Sequence, residues 1–225
     1  ALGVIRLVLE NDLSLNLLSV FNSHYSIASI MLENADGDID AIAGERSSEL
    51  DSDLLSFFHD RLKVFLRDKG IRHDIIDACI AMPGADDLTL LVKRAEALAA
   101  TLATDDGENL IQGFKRANNI LSQAEEKDGV EYSYGADIKF AEEQAEKDLF
   151  AALDAADAKI TPAMQAEDFG TAMSAMAALR GPIDAFFTDV QVNADSSVLR
   201  RNRLNLLSRI RTICLSVADL TKIEG

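Results

Sequence analysis

The chain has 225 residues, of which 48% are hydrophobic and 27% are charged, and its formal net charge is −16. This length and apolar content suffice for one large or two small domains with real cores, whereas the negative charge argues against non-specific nucleic-acid binding because it repels phosphates. No apolar run approaches the length of a membrane span and nothing resembles a signal peptide, so we expect no membrane partner, no DNA partner and a cytoplasmic location.

The spacing of hydrophobic residues predicts helices throughout. Alanine and leucine are abundant, prolines number only three, and no segment sustains the alternation with β-branched residues that is typical of strands. We therefore expect an all-α protein of helical bundle lobes that ends in a five-helix bundle. Cys79 and Cys214 lie in apolar helical patterns and are expected to be buried, reduced thiols. A disulfide is the alternative that the sequence leaves open.

Residues 1–33 show a helical apolar pattern from the start, without an initial Met. We interpret the chain as the C-terminal piece of a longer protein that begins inside an upstream helical domain. The stretch 33–53 is acidic, and five of its side chains fit positions 1, 3, 5, 7 and 12 of a calcium loop: Asn34, Asp36, Asp38, Asp40 and Glu45. Ile39 stands where that loop needs glycine, so we favour an acidic, solvated connection.

Two helices are predicted next. Ser52 or Asp53 begins the first, which runs to about Lys69 and ends at Gly70; the second covers 71–82. The predicted buried stripe of the first helix comprises Leu54, Phe57, Phe58, Leu62, Phe65 and Leu66.

The pairs His59–Asp60 and His73–Asp74 repeat the His-Asp dipeptide of metal phosphohydrolases. A metal site needs several converging ligands, and Gly70 interrupts the helix between these pairs. We therefore expect histidines at the surface or facing RNA, with no metal and no catalytic residue here.

An antiparallel helix pair is predicted over 86–103 and 105–127, joined near Thr104. Lys115 and Arg116 lie mostly off the apolar stripe of the second helix. We favour a solvated face for them and keep RNA contact as the alternative.

The stretch 128–135 is the clearest loop, and we place a domain boundary there. It contains Tyr132 and Tyr134. Packing against the adjacent domain is the favoured interpretation of both rings, and stacking on bases is the alternative.

Beyond this loop the sequence predicts five helices. Thr161 and Asp195 are expected to cap helices, Gly181 to end one and Pro182 to begin the next. The first three cover 142–158, 162–167 and 169–180; the fourth begins at Pro182 and precedes a break at 193–195, and the last, a long helix, follows Asp195.

The last of these helices is basic although the chain is acidic. From 193 to 215, five arginines against one aspartate give a local charge of +4. Arg201 and Arg209 point away from the apolar stripe, and Arg200 and Arg211 lie on its flank.

Arg203 falls inside the apolar stripe. A buried arginine needs a charged partner, so we predict an ion pair with a carboxylate of the preceding helix, either Asp184 or Asp189.

Three stretches carry a family resemblance: 53–78, Phe114-Lys-Arg-Ala-Asn-Asn-Ile-Leu121, and the final Ala218-Asp-Leu-Thr-Lys-Ile-Glu-Gly225. Together with the basic last helix they resemble the β subunit of bacterial glycyl-tRNA synthetases, the type with separate α and β chains. Related helical domains also lie at the C-terminal end of arginyl-tRNA synthetases. The resemblance implies three parts: the end of an upstream HD-type helical domain over 1–38, a helical body over 39–135, and an anticodon-binding domain over 136–225.

The resemblance also implies partners. Glycine tRNA and the α subunit are expected, in an α2β2 assembly, with ATP and Mg²⁺ bound at the α subunit. We find no glycine-rich phosphate loop and no class II catalytic core in the sequence, so this part of the ligase is expected to hold no cofactor and to perform no catalysis by itself.

Every glycine anticodon ends in two cytosines, which a single-stranded loop can present to a protein. Arginine and asparagine can donate to cytosine O2 and N3. A carboxylate, either Asp195 or Glu224, can accept from the N4 amine. The candidate tRNA-binding residues are Arg200, Arg201, Asn202, Arg209, Arg211, Asn193, Asp195, Lys115 and Arg116.

Phe186 and Phe187 could stack on bases, but their helical spacing favours core packing. The alternative function is a helical scaffold that assembles subunits without touching RNA. That alternative gains support if intramolecular carboxylates pair the arginines of the last helix.

Overall fold

The structure is a computed structural model that describes residues 2–22 and 39–224. Within these residues the only extended pairing is an isolated antiparallel bridge between Asn16 and Asp87, and the all-α prediction is confirmed. Residues 17–22 are helical, and single 3₁₀ turns lie at Ile138–Phe140 and Leu220–Lys222. The α-helices are α1 (Leu2–Glu10), α2 (Ile39–Asp68), α3 (His73–Ile80), α4 (Leu88–Leu102), α5 (Asp105–Asp128), α6 (Gln144–Gln165), α7 (Phe169–Ala177), α8 (Arg180–Asp189) and α9 (Ser197–Val217).

The chain divides into two compact units, residues 1–95 and residues 96–225. Neither predicted boundary, near 38 or near 135, coincides with this division. The reason is α5, which we assigned to the middle domain but which packs against α8 and α9 in the second unit.

In the first unit, α1 and α3 pack against α2. Helix α2 begins at Ile39, so Ser52 and Asp53 lie inside it and cap nothing; the alanines and glutamates that precede them are good helix formers. Of its predicted stripe, Phe58, Leu62 and Leu66 are buried, whereas Leu54 and Phe57 are exposed. Arg61 instead covers the Phe57 ring, with its guanidinium carbon 5.3 Å from the centroid.

The two motifs considered for metal binding lie in this unit. The acidic stretch 34–45, favoured as a solvated connection, falls outside the side chains that the structure describes. His59 forms a hydrogen bond of 2.8 Å through Nε2 with the carbonyl oxygen of Ala85. Among the described residues, no three His, Cys, Asp or Glu side chains come together as a metal site would require.

The second unit is a five-helix bundle of α5 to α9, in which α9 contacts α5, α6 and α7. From 202 to 208 every residue of α9 is buried, as expected for the central helix of a bundle. The predicted break before Pro162 is wrong, because α6 continues through this residue to Gln165. Proline inside a helix removes one hydrogen bond and its ring crowds the carbonyl of residue i−4; the packing of α6 against α7, α8 and α9 offsets this local cost.

The fifth helix of the bundle is therefore α5 rather than a separate helix at 162–167. The predicted helix end at Gly181 is also wrong. Helix α7 ends at Ala177, and Gly181 and Pro182 lie in the first turn of α8.

Both cysteines are buried and free of disulfides. Burial raises the pKa of the Cys79 thiol and of the Cys214 thiol to about 12, so both stay protonated at neutral pH. None of the helices described is both long and apolar enough to cross a membrane.

Candidate nucleic-acid interface

The basic helix α9 is largely neutralised by carboxylates of its own unit. Its charged partners lie on α5 and α6, so these pairs fasten α9 into the bundle. Three guanidinium groups make exposed or partly exposed ion pairs: Arg200 with Asp128 at 2.7 Å, Arg209 with Asp154 at 2.6 Å and Arg211 with Glu125 at 2.9 Å.

Arg203 is buried, and its partner is Glu146 of α6 rather than Asp184 or Asp189. Its Nε donates to one oxygen of Glu146 at 3.0 Å and a terminal nitrogen donates to the other at 3.1 Å. The remaining terminal nitrogen donates to the carbonyl oxygen of Gln191 at 2.9 Å. Asp184 is exposed and pairs with Arg180 on its own helix at 3.3 Å.

Glu146 also serves the start of α6. Its Oε2 accepts the backbone N–H groups of Glu142 and Glu143, each at 3.0 Å. Burial by itself would raise the pKa of Glu146, but the Arg203 hydrogen bonds and these backbone donors outweigh burial and hold the pKa below its usual range. The carboxylate therefore stays ionised in the core.

Two further carboxylates on α5 are held ionised in the same way. A hydrogen bond from Arg211 is the main cause that lowers the pKa of Glu125. The pKa of Asp128 is lowered chiefly by the hydroxyl of Tyr132, with Arg200 second.

Arg200 belongs to a small polar cluster at the end of α5. Besides Asp128, it donates to the Tyr132 hydroxyl oxygen at 3.2 Å and to Oδ1 of Asn193 at 3.2 Å. Tyr132 is buried and donates its own hydroxyl to Asp128 at 2.6 Å. Tyr132 is thus held by α5 and α9 of its own unit and not by an adjacent domain.

Arg201 differs from its neighbours. Its side chain is exposed, and in the described part of the chain it meets the Tyr134 ring at 5.9 Å and no carboxylate. Tyr134 is 84% exposed, so the predicted packing of this ring is wrong. An unpaired guanidinium beside an open aromatic ring can hold a phosphate and stack a base at the same place.

Two adjoining cavities open beside these residues, and Tyr134, Ser197 and Arg201 line both. One cavity, of about 620 Å³, is also lined by Tyr132 and Arg200. The other, of about 500 Å³, is also lined by Gly135, Asp137, Phe140, Val198, Asn202 and Asn205. The predicted residues Arg201 and Asn202 therefore share a concave surface.

Asn202 and Asn205 are 6% and 5% exposed. Oδ1 of Asn202 accepts the backbone N–H of Asp137 at 2.8 Å. Its Nδ2 and the Oδ1 of Asn205 have no hydrogen-bond partner in the described part of the chain. Our list of candidates omitted Asn205, although an amide inside the leucine run 204–207 was a signal that could have identified it.

Other predicted site residues lie apart from these cavity linings. Asp195 is exposed, and Ser196 rather than Asp195 caps α9 by accepting the N–H of Leu199. Arg116 on α5 lies over the Phe187 ring, 4.4 Å from its centroid, and Lys115 is half-buried. Phe186 is fully buried, in agreement with core packing.

Comparison with known proteins defines the class of this fold. Residues 110–224 match the family model described as "DALR anticodon binding domain", and this match covers more than half of the chain. The chain belongs to the DALR anticodon binding domain family. Residues 1–81 match a second family model, described as "Glycyl-tRNA synthetase beta subunit".

Individual relatives match the chain over its full length. It is 65% identical to the glycine–tRNA ligase beta subunit of Cereibacter sphaeroides, 62% identical to that of Dinoroseobacter shibae and 50% identical to that of Rhodospirillum centenum. The chain spans 31%, 33% and 30% of those proteins, respectively, or about a third of their length. The resemblance to this family that the sequence motifs indicated is confirmed.

Proposed function

We propose that this chain is the anticodon-recognising, tRNA-binding part of a glycine–tRNA ligase β subunit, and that it supports the ATP-dependent glycylation carried out with an α subunit. The observation that carries the proposal is the match of residues 110–224 to an anticodon-binding family. These residues form most of the second unit, whose surface holds Arg201, Tyr134 and the two cavities. An α2β2 assembly, with ATP and Mg²⁺ at the α subunit and a cytoplasmic location, belongs to the same proposal.

The surface beside α9 has the groups that single-stranded RNA needs. The Arg201 guanidinium can hold a backbone phosphate, and the Tyr134 face can stack a base, because every base offers a flat face. The acidic remainder of the chain repels RNA that does not engage this surface. Binding therefore depends on a local fit and not on bulk charge.

The paired arginines are the observation that favours the scaffold alternative. Arg200, Arg203, Arg209 and Arg211 all lie on carboxylates of α5 or α6, so they stabilise the bundle. Under the scaffold alternative the second unit assembles subunits and makes no RNA contact. The family match and the unpaired Arg201 favour the tRNA-binding proposal over it.

The test is binding of the 225-residue chain to glycine tRNA and to the same tRNA with both anticodon cytosines replaced by uridines. Fluorescence anisotropy at moderate salt measures both dissociation constants. We expect glycine tRNA to bind more tightly, by roughly tenfold or more, since each good base contact contributes about 1–3 kcal/mol of discrimination. Equal affinities, or no binding of either tRNA, would support the scaffold alternative.

A further inference from the structure

Two buried amide atoms on α9 lack partners in the described part of the chain. Nδ2 of Asn202 has no acceptor and Oδ1 of Asn205 has no donor. The residues are three positions apart, so they lie on the same face of the helix. A buried polar group without a partner destabilises a fold. Two such groups on one face indicate that a ligand supplies their hydrogen-bond partners.

The cavity of about 500 Å³ that both asparagines line is large enough for one base. Its lining also includes Tyr134, Phe140, Val198 and Asp137. Aromatic and apolar walls with a few convergent polar atoms are typical of a small-ligand site. Here the polar atoms lie on a rigid buried helix, which fixes their positions.

The amide orientation of Asn202 is set by the fold. Because its Oδ1 accepts the N–H of Asp137 at 2.8 Å, its Nδ2 can only be a donor to a ligand. The unpaired atom of Asn205 is an acceptor. The ionised Asp137 carboxylate can only accept; its Oδ1 takes the Lys139 N–H at 2.9 Å, which leaves Oδ2 as the second acceptor. The cavity thus offers one donor beside two acceptors.

We propose that this cavity binds one unstacked cytosine of a single-stranded RNA loop. Asn202 Nδ2 donates to O2 or N3 of the base, and Asn205 Oδ1 and the Asp137 carboxylate accept from the two hydrogens of the N4 amine. Uracil in the same position places its O4 against two acceptors and its N3–H against a donor. The inference rests on the proposed function, since it names the base that the tRNA-binding surface binds.

The test separates the proposed recognition from the structural role of the same residues. Asn202→Asp keeps an oxygen for the Asp137 N–H and loses the Nδ2 donor. Asn205→Leu keeps the same number and branching of side-chain heavy atoms and loses the acceptor. The matched control is Arg201→Ala, which lines the same cavity but is assigned to a phosphate.

The probes are three RNA stem-loops: one with the glycine anticodon, and two in which one or the other cytosine is replaced by uridine. Affinities are measured by anisotropy with the 225-residue chain, and circular dichroism checks that each variant is folded. We expect wild type to prefer cytosine at one of the two positions by at least about fivefold. Asn202→Asp and Asn205→Leu should each abolish that preference, and Arg201→Ala should weaken all three RNAs equally.

The outcomes distinguish this inference from the proposed function. If wild type discriminates and both asparagine variants, folded, keep the same cytosine preference, the cavity is not the cytosine site, although anticodon binding stands. If one variant fails to fold, the other decides. If wild type binds all three stem-loops equally, the inference and the proposed function are both contradicted.

Discussion

The pair between Arg203 and Glu146 joins three parts of the second unit. It links α9 to the first turn of α6 and to the carbonyl oxygen of Gln191 ahead of α9. The two side chains are 7% and 0% exposed, so neither charge can be compensated by water if the other is removed. In contrast, the Asp154 partner of Arg209 is 70% exposed.

Arg203→Ala should therefore destabilise the second unit by about 3–5 kcal/mol, because it leaves the Glu146 charge buried and unpaired. The matched control is Arg209→Ala, which breaks an exposed pair and should change stability by only about 0–1 kcal/mol. Urea denaturation followed by circular dichroism measures both. Similar effects of the two substitutions would show that the buried pair has no special role.

Arg201 is the residue for which we predict an effect on RNA binding without an effect on stability. Arg201→Ala should weaken binding of all RNAs alike and reduce the slope of log affinity against log salt by roughly 0.7–0.9, the value for one phosphate contact. Arg209→Ala, whose guanidinium already lies on Asp154, should reduce it less. An unchanged salt slope for Arg201→Ala would remove this residue from the interface.

Among the helices, the sequence predicts those boundaries that are set by residues close to them in the chain. Helix α5 covers Asp105–Asp128, close to the predicted 105–127; the Thr104 side chain caps its start and Gly129, whose φ is +65°, follows its end. The predicted helix start at Pro162 was wrong because the residues before this proline are already helical. The partner of Arg203 lies 57 residues away, and its identity depends on how α6 packs against α9, which periodicity does not reveal.

The candidate site likewise depends on contacts between residues that are remote in sequence, which periodicity does not reveal. Counting charges indicated a free basic face on α9, since the carboxylates that cover it come from α5 and α6 and are remote in sequence. Asn202 was identified because it lies beside the arginines. The cavity around it depends on the 135–140 segment folding over α9, as the bond from Asp137 N–H to Asn202 shows.

Gly113 on α5 lies close against α8. A Cβ at this position would lie 2.9 Å from Cγ2 of Ile183, a fully buried side chain, whereas a Cβ at Gly170 on α7 would lie 3.7 Å from Oδ1 of Asp168, an ordinary contact. Gly170→Ala should leave the stability of the fold unchanged or raise it by up to about 1 kcal/mol through helix propensity. Gly113→Ala should destabilise it by about 1–3 kcal/mol because the core is overpacked. Thermal melts compare them, and equal shifts of Tm would contradict this packing.

At the scale of the whole molecule, carboxylates hold the basic helix in an acidic chain. Glu125, Asp128 and Glu146 all have pKa values below their usual range in the folded state. The stability that they contribute is present in full above the unfolded pKa of about 4–4.5 and is lost as the pH falls through the lower folded pKa values. Acid therefore weakens the attachment of α9 to α5 and α6.

We expect the Tm of the chain to stay nearly constant from pH 7 to pH 5 and to fall steeply between about pH 4 and pH 2. The variant Glu146→Gln should show a shallower acid fall and a lower Tm at pH 7, since it lacks the charge that acid removes. Melting curves across this range measure both. A Tm that rises below pH 4 would contradict the assigned role of these carboxylates.

We propose that the second unit holds the anticodon of glycine tRNA. Dimethyl sulfate methylates N3 of exposed cytosines, so primer extension on glycine tRNA with and without the 225-residue chain reports directly which cytosines the protein covers. We expect protection of the two anticodon cytosines, lost in Asn202→Asp for at least one of them. Unchanged methylation of both at saturating protein, or protection confined to other parts of the tRNA, would contradict it.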